Sequence, residues 1–408
     1  MSSSGHEIPC QVTVLRSCTS AFVLAAAAAC NIENTPAQSR GAGTISTNIY
    51  AATGKDQLAP AAARARPLVY VPNSRSASVS VIDPVTYRVI RTFSTGTLPQ
   101  HVVPSYDLGT LWVANNEGNS LTPIDPMTGE DGTRVPVEDP YNLYFTPDGR
   151  FALVVAEGQN RIDFRDAHDM TLFQSISLSC VGVDHMEFTA DGRYAIASCE
   201  FSGQLVKIDL ATRAVVGYLT LGNGFSTTLE KLIVMVGKRH GDHAAGPMPQ
   251  DIRSSPDGTV FYVADMTAGG VVLIDPIAFT RVGFIETGTG AHGLYPSRDG
   301  TKLYVTNRGW NTPAGGRDGP GSISVIDFAT RRVVETWPVP GGGSPDMGNV
   351  TADGSELWVS GRYDDEVYVF ATATGILTHR IAVGREPHGL CVWPQPGRYS
   401  LGHTGNMR

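Results

Sequence analysis

The stretch HGLYPSRDGTKLYVTN, residues 292–307, contains the pattern that decides the fold. A polar residue opens a short apolar run, an Asp-Gly turn follows, and a second β-prone run comes after the turn. The arrangement recurs along the chain, with the turn glycine eight residues after the polar residue. The pairs are His101–Gly109, Tyr141–Gly149, Asp184–Gly192, Gln250–Gly258, His292–Gly300 and Asp346–Gly354, and His388–Gly397 is longer by one residue.

The turn glycines lie about 42 residues apart, the length of a four-stranded propeller blade, and two insertions lengthen the spacing. Gly (45) and Pro (26) are abundant and charged residues are few (17%), which is typical of many short strands. We therefore predict an all-β fold, a seven-bladed β-propeller. Seven apolar runs occupy the third-strand position: SVSVID (78–83), SLTPID (120–125), RIDFRD (161–166), QLVKID (204–209), GVVLID (270–275), SISVID (322–327) and EVYVFA (366–371).

The two ends of the repeat complement each other. The first run, LVYVPN (68–73), begins in the middle of a blade, and the last, HGLCVW (388–393), has the pattern of an innermost strand. The C-terminal strand is therefore predicted to complete the first blade and close the ring, which removes an open sheet edge. A solenoid would need differently patterned end caps, which the sequence lacks.

The N-terminal residues indicate export. Arg16 precedes an alanine-rich stretch, 21–29, that ends at Cys30 and is too short to span a bilayer. We expect a periplasmic or extracellular protein, with membrane contact only through a lipid on Cys30; a disordered leader or a misplaced start codon is the alternative. The predicted segments are 1–30 (signal peptide or lipoprotein signal), 31–66 (flexible tether), 67–397 (propeller) and 398–408 (C-terminal tail).

Several short motifs support a family resemblance. LYVTN (303–307), VYVPN (69–73), LWVAN (111–115), PHGL (387–390) and SPDG (255–258) resemble the YVTN-repeat β-propeller family over about residues 67–397. The resemblance implies the fold but no single activity. Relatives include the haem-binding propeller domain of periplasmic nitrite reductases and surface-layer repeat proteins. A net charge of −8 without a long basic run argues against a nucleic-acid partner. We expect the partner to be a small molecule or an envelope protein, and we expect the protein to be a monomer.

The aligned polar residues predict a site. In a propeller the first strand of each blade lines the central channel, so these residues and their neighbours are expected to ring one channel mouth. Imidazole and carboxylate groups suit copper, iron or zinc. A structural role in binding backbone or channel water, or a pocket without metal, remains the alternative. The candidate metal ligands are His101, His185, His292, His388, Asp184 and Asp251. The resemblance also implies a tetrapyrrole as an alternative cofactor, although no Cys-x-x-Cys-His motif for covalent haem is present.

Two long insertions, 223–249 and 308–321, are predicted to open onto the same face, where such loops are commonly functional. Solvated surface charge is the alternative for both. The candidate catalytic residues are His240, His243, Tyr141 and Arg253. The candidate cofactor-binding residues are Arg239, Arg308, Arg317 and Trp310.

Cys180 and Cys199 are expected near the same mouth. The hairpin turn at 190–192 places Cys199 opposite about residue 183, so a disulfide between the two cysteines is the first interpretation. Free thiols that act as soft metal ligands beside His185, or two unrelated buried cysteines, are the alternatives.

These patterns predict an exported YVTN-type β-propeller that binds a metal ion or cofactor through a histidine-rich ring and is redox-active. No G-x-S-x-G, P-loop or H-E-x-x-H motif is present, so an oxidoreductase is favoured over a hydrolase if the chain is an enzyme. The alternative function is a non-catalytic binding or interaction module of the cell envelope.

Overall fold

The computed structural model of the chain describes residues 48–222, 246–310, 316–403 and 405–408. These residues belong to one unit, Ser46–Arg408. Their strands form seven four-stranded antiparallel sheets, so the predicted all-β, seven-bladed propeller is confirmed. The described helices are three short 3-10 turns, η1 (Ala62–Arg64), η2 (Ser74–Ser76) and η3 (Glu200–Ser202). Within the described ranges no helix has the length and apolar character needed to cross a membrane.

The strands of each blade are given from the channel outwards. Blade 1 contains β28 (Cys391–Trp393), β1 (Leu68–Asn73), β2 (Ser78–Asp83) and β3 (Arg88–Ser94). Blade 2 contains β4 (Pro99–Pro104), β5 (Leu111–Asn115), β6 (Ser120–Ile124) and β7 (Val135–Pro136). Blade 3 contains β8 (Asn142–Phe145), β9 (Phe151–Ala156), β10 (Arg161–Asp166) and β11 (Leu172–Ser177).

The strands of the remaining four blades follow in the same order along the chain. Blade 4 contains β12 (Val183–Phe188), β13 (Tyr194–Cys199), β14 (Gln204–Asp209) and β15 (Ala214–Thr220). Blade 5 contains β16 (Pro249–Ser254), β17 (Phe261–Asp265), β18 (Gly270–Asp275) and β19 (Thr280–Glu286). Blade 6 contains β20 (Ala291–Pro296), β21 (Lys302–Asn307), β22 (Ser322–Asp327) and β23 (Arg332–Pro338). Blade 7 contains β24 (Pro345–Val350), β25 (Glu356–Gly361), β26 (Glu366–Ala371) and β27 (Ile376–Ala382).

Burial changes from the channel to the rim of each blade. The innermost strand β24 is buried along its whole length, whereas the outermost strand β27 exposes every second residue. The apolar core lies between blades: Tyr304 and Val325 of blade 6 pack in one cluster with Leu357 of blade 7. Polar side chains on the inner strands are therefore held inside the channel, away from bulk water.

The repeated turn explains the repeated glycine. At the β8–β9 turn the hydroxyl of Thr146 donates to Asp148 at 2.6 Å, and Asp148 accepts the backbone N–H of Arg150 at 3.1 Å. Gly149 then takes a φ of +70°, a left-handed conformation that glycine adopts without strain. This fixed turn sets the register of the inner strand that precedes it.

Strand β28 closes the ring as predicted. It pairs antiparallel with β1, with Leu68 opposite Trp393 and Tyr70 opposite Cys391. Part of the segment expected to be a tether also packs on the propeller, since Ile49 N–H donates to the Pro256 carbonyl at 2.8 Å and Leu58 forms a bridge with Gly397.

The segment after β28 enters the channel. Gly402 bridges to Tyr144 of β8, and the His403 N–H donates to the Leu143 carbonyl at 2.9 Å. The Arg408 guanidinium pairs with buried Glu187 at 2.7 Å. The C-terminal segment therefore fills the channel between inner strands and brings His403 into its interior.

The predicted disulfide is present. Cys180 and Cys199 are bonded with Cα atoms 5.9 Å apart, and Val183 pairs with Cys199 across the β12–β13 hairpin. The bond ties the entry of β12 to the end of β13. It therefore constrains the backbone beside His185.

We expect the double replacement Cys180→Ser and Cys199→Ser to lower the free energy of unfolding by about 3 kcal/mol, because the bond closes a loop across a sequence separation of 19. Urea unfolding of the wild type with and without dithiothreitol measures the effect, and the double variant serves as the reductant-insensitive control. A wild type that unfolds at the same urea concentration under both conditions would contradict the expectation.

Candidate functional site

Five histidines meet inside the channel. His101 lies on β4, His185 on β12, His292 on β20 and His388 just before β28, and the C-terminal segment supplies His403. Each of the five is at most 1% exposed. The ring centroids are 5.5 Å apart for 101–185, 6.1 Å for 185–292, 5.8 Å for 292–388, 4.8 Å for 388–101, 5.0 Å for 101–403 and 4.6 Å for 185–403. Four blades thus form a closed ring of imidazoles, with a fifth imidazole against one side. We call this set the histidine cluster.

Three members of the histidine cluster are close enough to share one ion. Ring nitrogens of His101, His185 and His403 lie within 4.8 Å of one another. Both ring nitrogens of His101 and Nε2 of His185 have no hydrogen-bond partner among the described residues. Buried polar atoms are costly when unpaired, so these three nitrogens are available to bind a ligand.

One amide orients two of these rings. Asn142 Nδ2 lies 3.2 Å from His185 Nδ1 and 3.0 Å from His403 Nδ1. The Asp251 carboxylate lies 3.4 Å from His403 Nε2 and also binds the Arg253 guanidinium at 3.1 Å. Contacts of this kind to the ring nitrogen that does not bind the metal set the orientation of metal-binding imidazoles.

One carboxylate holds the other two histidines. The oxygens of Asp346 lie 2.6 Å from His388 Nδ1 and 3.1 Å from His292 Nδ1. The same carboxylate binds Arg308 Nε at 2.6 Å and lies 3.7 Å from Arg362 Nη1. Only His388 Nδ1 is hydrogen-bonded to Asp346, whereas His292 Nδ1 has no hydrogen-bond partner among the described residues.

Burial sets the protonation of these groups. It holds the pKa of all five histidines well below the usual value, so the rings are neutral and their lone pairs can bind a metal. Burial also raises the pKa of Asp346, but the charges of Arg308 and Arg362 and the hydrogen bond from Arg308 lower it by more, so the pKa lies below its usual value and this carboxyl is ionised.

A metal ion fits the histidine cluster and a tetrapyrrole does not. Two imidazoles on one tetrahedral ion, at a metal–nitrogen distance of about 2.0 Å, have centroids about 5 Å apart. The observed separations of 4.6–5.5 Å within the triad match this geometry. A flat macrocycle would have to separate rings that are already in contact.

The two predicted carboxylate ligands lie beside the triad without joining it. Asp184 Oδ1 accepts hydrogen bonds from the Ser198 hydroxyl at 2.5 Å and from the His185 N–H at 2.8 Å. Asp251 accepts the backbone N–H groups of Ile252 and Leu294, both at 2.9 Å. Both carboxylates therefore anchor the inner strands that carry the site.

The described candidate catalytic residues, Tyr141 and Arg253, lie at different places in the channel. The Tyr141 hydroxyl lies 3.4 Å from His388 Nε2, in contact with the histidine cluster, whereas buried Arg253 is paired with Asp251 next to the C-terminal segment. His240 and His243 lie outside the described residues.

The described candidate cofactor-binding residues, Arg308, Trp310 and Arg317, also have different surroundings. Arg308 reaches into the channel to Asp346, and the Trp310 ring packs on Tyr363 with centroids 4.3 Å apart. Arg317 pairs with Asp364 at 3.6 Å and is partly exposed. Arg239 lies outside the described residues.

An acidic pair, Glu157 and Glu200, is influenced by the charges of Arg308 and Arg362. The Glu157 carboxyl is hydrogen-bonded to Glu200, which also accepts from Gln250 Nε2 at 2.9 Å. Burial raises the pKa of both glutamates, and Glu200 raises that of Glu157 further. The pair therefore retains a proton and carries one negative charge.

Three residues of the site were not among the sequence candidates. His403 follows the last repeat, Asp346 was aligned with the channel register but not assigned a role, and Arg362 lies directly after strand β25. Asp346 occupies the repeated polar position in the blade between those of His292 and His388. This position in the repeat could have predicted its contact with the two histidines.

The comparisons with known proteins agree with the fold. The family of YNCE-like β-propellers matches residues 42–226 and 242–397. No curated protein matches the chain by sequence.

Solved structures share the architecture at low identity. The Kuenenia stuttgartiensis hydrazine synthase is 18% identical with a TM-score of 0.55, over 71% of this chain and 87% of the other. The dihydro-heme d1 dehydrogenase NirN is 16% identical with a TM-score of 0.56, over 79% and 74%. A putative 6-phosphogluconolactonase from Bacteroides uniformis is 18% identical with a TM-score of 0.59, over 79% and 98%. At these identities the likeness shows the fold alone.

Proposed function

This chain belongs to the YNCE-like β-propeller family, and from the histidine cluster in its channel we propose that it is an exported protein that binds one transition-metal ion. The observation that carries the proposal is the triad of His101, His185 and His403, whose ring nitrogens face one another within 4.8 Å and include three without a partner among the described residues.

The chemistry of the donor atoms limits which metal ions the site can bind. Neutral imidazoles suit copper, iron and zinc, whereas calcium and magnesium prefer oxygen ligands. The triad contains no carboxylate, and copper binds most tightly among the divalent ions in such nitrogen sites. We therefore favour copper, then iron or zinc. A bound copper or iron ion would supply one-electron chemistry.

The protein's own residues have separate roles in this proposal. The triad holds the ion, and Asn142 holds the His185 ring through Nδ1. His403 gives up its contact with Asn142 or with Asp251 when it binds the ion, and Asp346 holds His388 through Nδ1. Full burial excludes bulk water from the ion, which strengthens every electrostatic interaction around it.

Export is supported by two features of the chain. The disulfide between Cys180 and Cys199 is typical of an oxidising compartment. The first 30 residues have the length and composition of a signal sequence. Lipid attachment at Cys30 is part of the proposal.

The full chain, purified without chelators or affinity metals, tests the proposal by elemental analysis and by visible and electron paramagnetic resonance spectra. We expect the native protein to retain about one metal ion per chain after dialysis. The metal-free protein reloaded with copper should retain the same amount. A chain that retains neither copper, iron nor zinc under these conditions would refute the metal site and favour the non-catalytic binding module.

A further inference from the structure

A polar cavity lies at the far ends of the inner strands from the histidine cluster. Arg298 follows β20 and Asn349 lies near the end of β24, whereas His292 and Asp346 lie near the starts of these strands. Asn349 is therefore about 10 Å along β24 from Asp346, at about 3.3 Å per residue. The cavity has a volume of about 330 Å³, part of it open to solvent, and its lining includes Tyr50, Arg298, Asn349, Val350, Gln395 and Gly405. We call it the Arg298 cavity.

The Arg298 guanidinium is partly buried and forms no ion pair with a described residue. Its Nε donates to the Thr351 carbonyl at 2.9 Å, and its Nη2 donates to the Val350 carbonyl and the Gln395 side-chain oxygen. All three acceptors are neutral. Burial lowers the pKa of Arg298 to about 10, because the charged form has lost water contacts. The charge of Asp353 opposes this effect, but that carboxylate is held in its own turn by the Thr351 hydroxyl at 2.6 Å.

Two side chains of the Arg298 cavity have donors that the described residues leave unused. Arg298 Nη1 makes no hydrogen bond with them, so both of its N–H groups are available. Asn349 is 1% exposed and its Oδ1 accepts the Val392 N–H at 2.8 Å, but its Nδ2 has no partner in the described ranges. A Cβ at Gly405 would lie 2.8 Å from this Nδ2, so the glycine keeps space beside the amide. An unpaired buried donor is costly, which favours a ligand with acceptor atoms.

We propose that the Arg298 cavity binds a small oxyanion, either inorganic phosphate or sulfate or the carboxylate of a small organic acid. The oxyanion accepts hydrogen bonds from Arg298 Nη1 and Asn349 Nδ2, and it supplies the negative charge that the guanidinium lacks. The cavity is lined by the N-terminal segment at Tyr50 and by the C-terminal segment at Gly405 as well as by blades 6 and 7. A bound oxyanion therefore also holds these two segments against the propeller. The site is independent of the proposed metal ion.

Thermal unfolding of the full chain, freed of metal and dialysed, tests the site in sodium phosphate, sulfate or acetate. Sodium chloride at the same ionic strength is the reference, because it screens surface charges equally. We expect at least one oxyanion to raise the unfolding temperature, since a ligand that binds the folded state stabilises it. The response to acetate against that to phosphate and sulfate distinguishes a carboxylate from an inorganic ligand. Equal unfolding temperatures in all four salts would overturn the proposal.

The variant Arg298→Gln separates binding from the general stabilising effect of sulfate and phosphate on folded proteins. We expect it to weaken the oxyanion affinity, measured by calorimetric titration, by about ten- to a hundredfold, the effect of one lost hydrogen bond to a charged group. Exposed Arg88→Gln is the matched control and should bind the oxyanion as the wild type does.

If Arg298→Gln does not fold, Asn349→Asp replaces it. This change keeps the acceptor for the Val392 N–H and places a carboxylate beside the bound oxyanion. Repulsion between the two negative charges should weaken binding by at least about tenfold. An oxyanion affinity that stays at the wild-type value in the folded variant means that the Arg298 cavity is not the binding site.

Discussion

Replacement of His185 by alanine is expected to reduce the metal content of the purified chain from about one ion to almost none. His185 contacts both His101 and His403, so its loss leaves the triad with two ligands instead of three. Loss of a residue that only orients a metal ligand commonly weakens metal binding about 10- to 100-fold, and loss of the ligand itself should have a larger effect. Competition with a chelator of known affinity measures the change.

His168→Ala is the matched control, because His168 is exposed and outside the channel. It should retain the metal content and chelator resistance of the wild type. Circular dichroism of both variants checks that the propeller remains folded. An unchanged metal affinity in folded His185→Ala would show that the triad does not hold the ion.

Replacement of Asp346 by asparagine is expected to lower the free energy of unfolding of the metal-free chain by about 3–5 kcal/mol. The substitution keeps the shape of the side chain but leaves Arg308 and Arg362 without their shared counter-charge inside the channel. It also weakens the contacts that orient His292 and His388. Urea unfolding at neutral pH measures the loss.

Exposed Glu117→Gln is the control for removing one negative charge from the chain. Surface changes of this kind alter stability by about 0.5 kcal/mol or less. If Asp346→Asn unfolds within about 1 kcal/mol of the wild type, then Asp346 is not the charge that stabilises the buried arginines.

The blades and the channel register could be predicted because both depend on local chemistry. The turn fixes the left-handed conformation at Gly149, Gly192, Gly258, Gly300 and Gly354, and the channel residue precedes the turn glycine by eight residues in six of the seven repeats. His101, His185, His292 and His388 could therefore be placed together from their spacing alone. The fold and the position of these four histidines follow from the repeat.

The details of the site depend on tertiary contacts that spacing does not encode. His403 lies after the last repeat, and contacts of the C-terminal segment with β8, such as the His403 N–H to the Leu143 carbonyl, bring it into the channel. The register placed Asp184 and Asp251 correctly next to the histidines but could not show that their oxygens accept backbone N–H groups. Side-chain orientation, rather than position, was the missing information.

The closure of the first blade by β28 has a consequence for how the protein reaches its native state. Strand β28 pairs with β1 across almost the whole chain, a contact of very high sequence separation that forms slowly. His388 precedes β28 and His403 follows it, so the complete histidine cluster is assembled in the same event that closes the ring. An ion that binds only the assembled cluster would therefore stabilise the closed propeller, because opening of the ring would also require release of the ion.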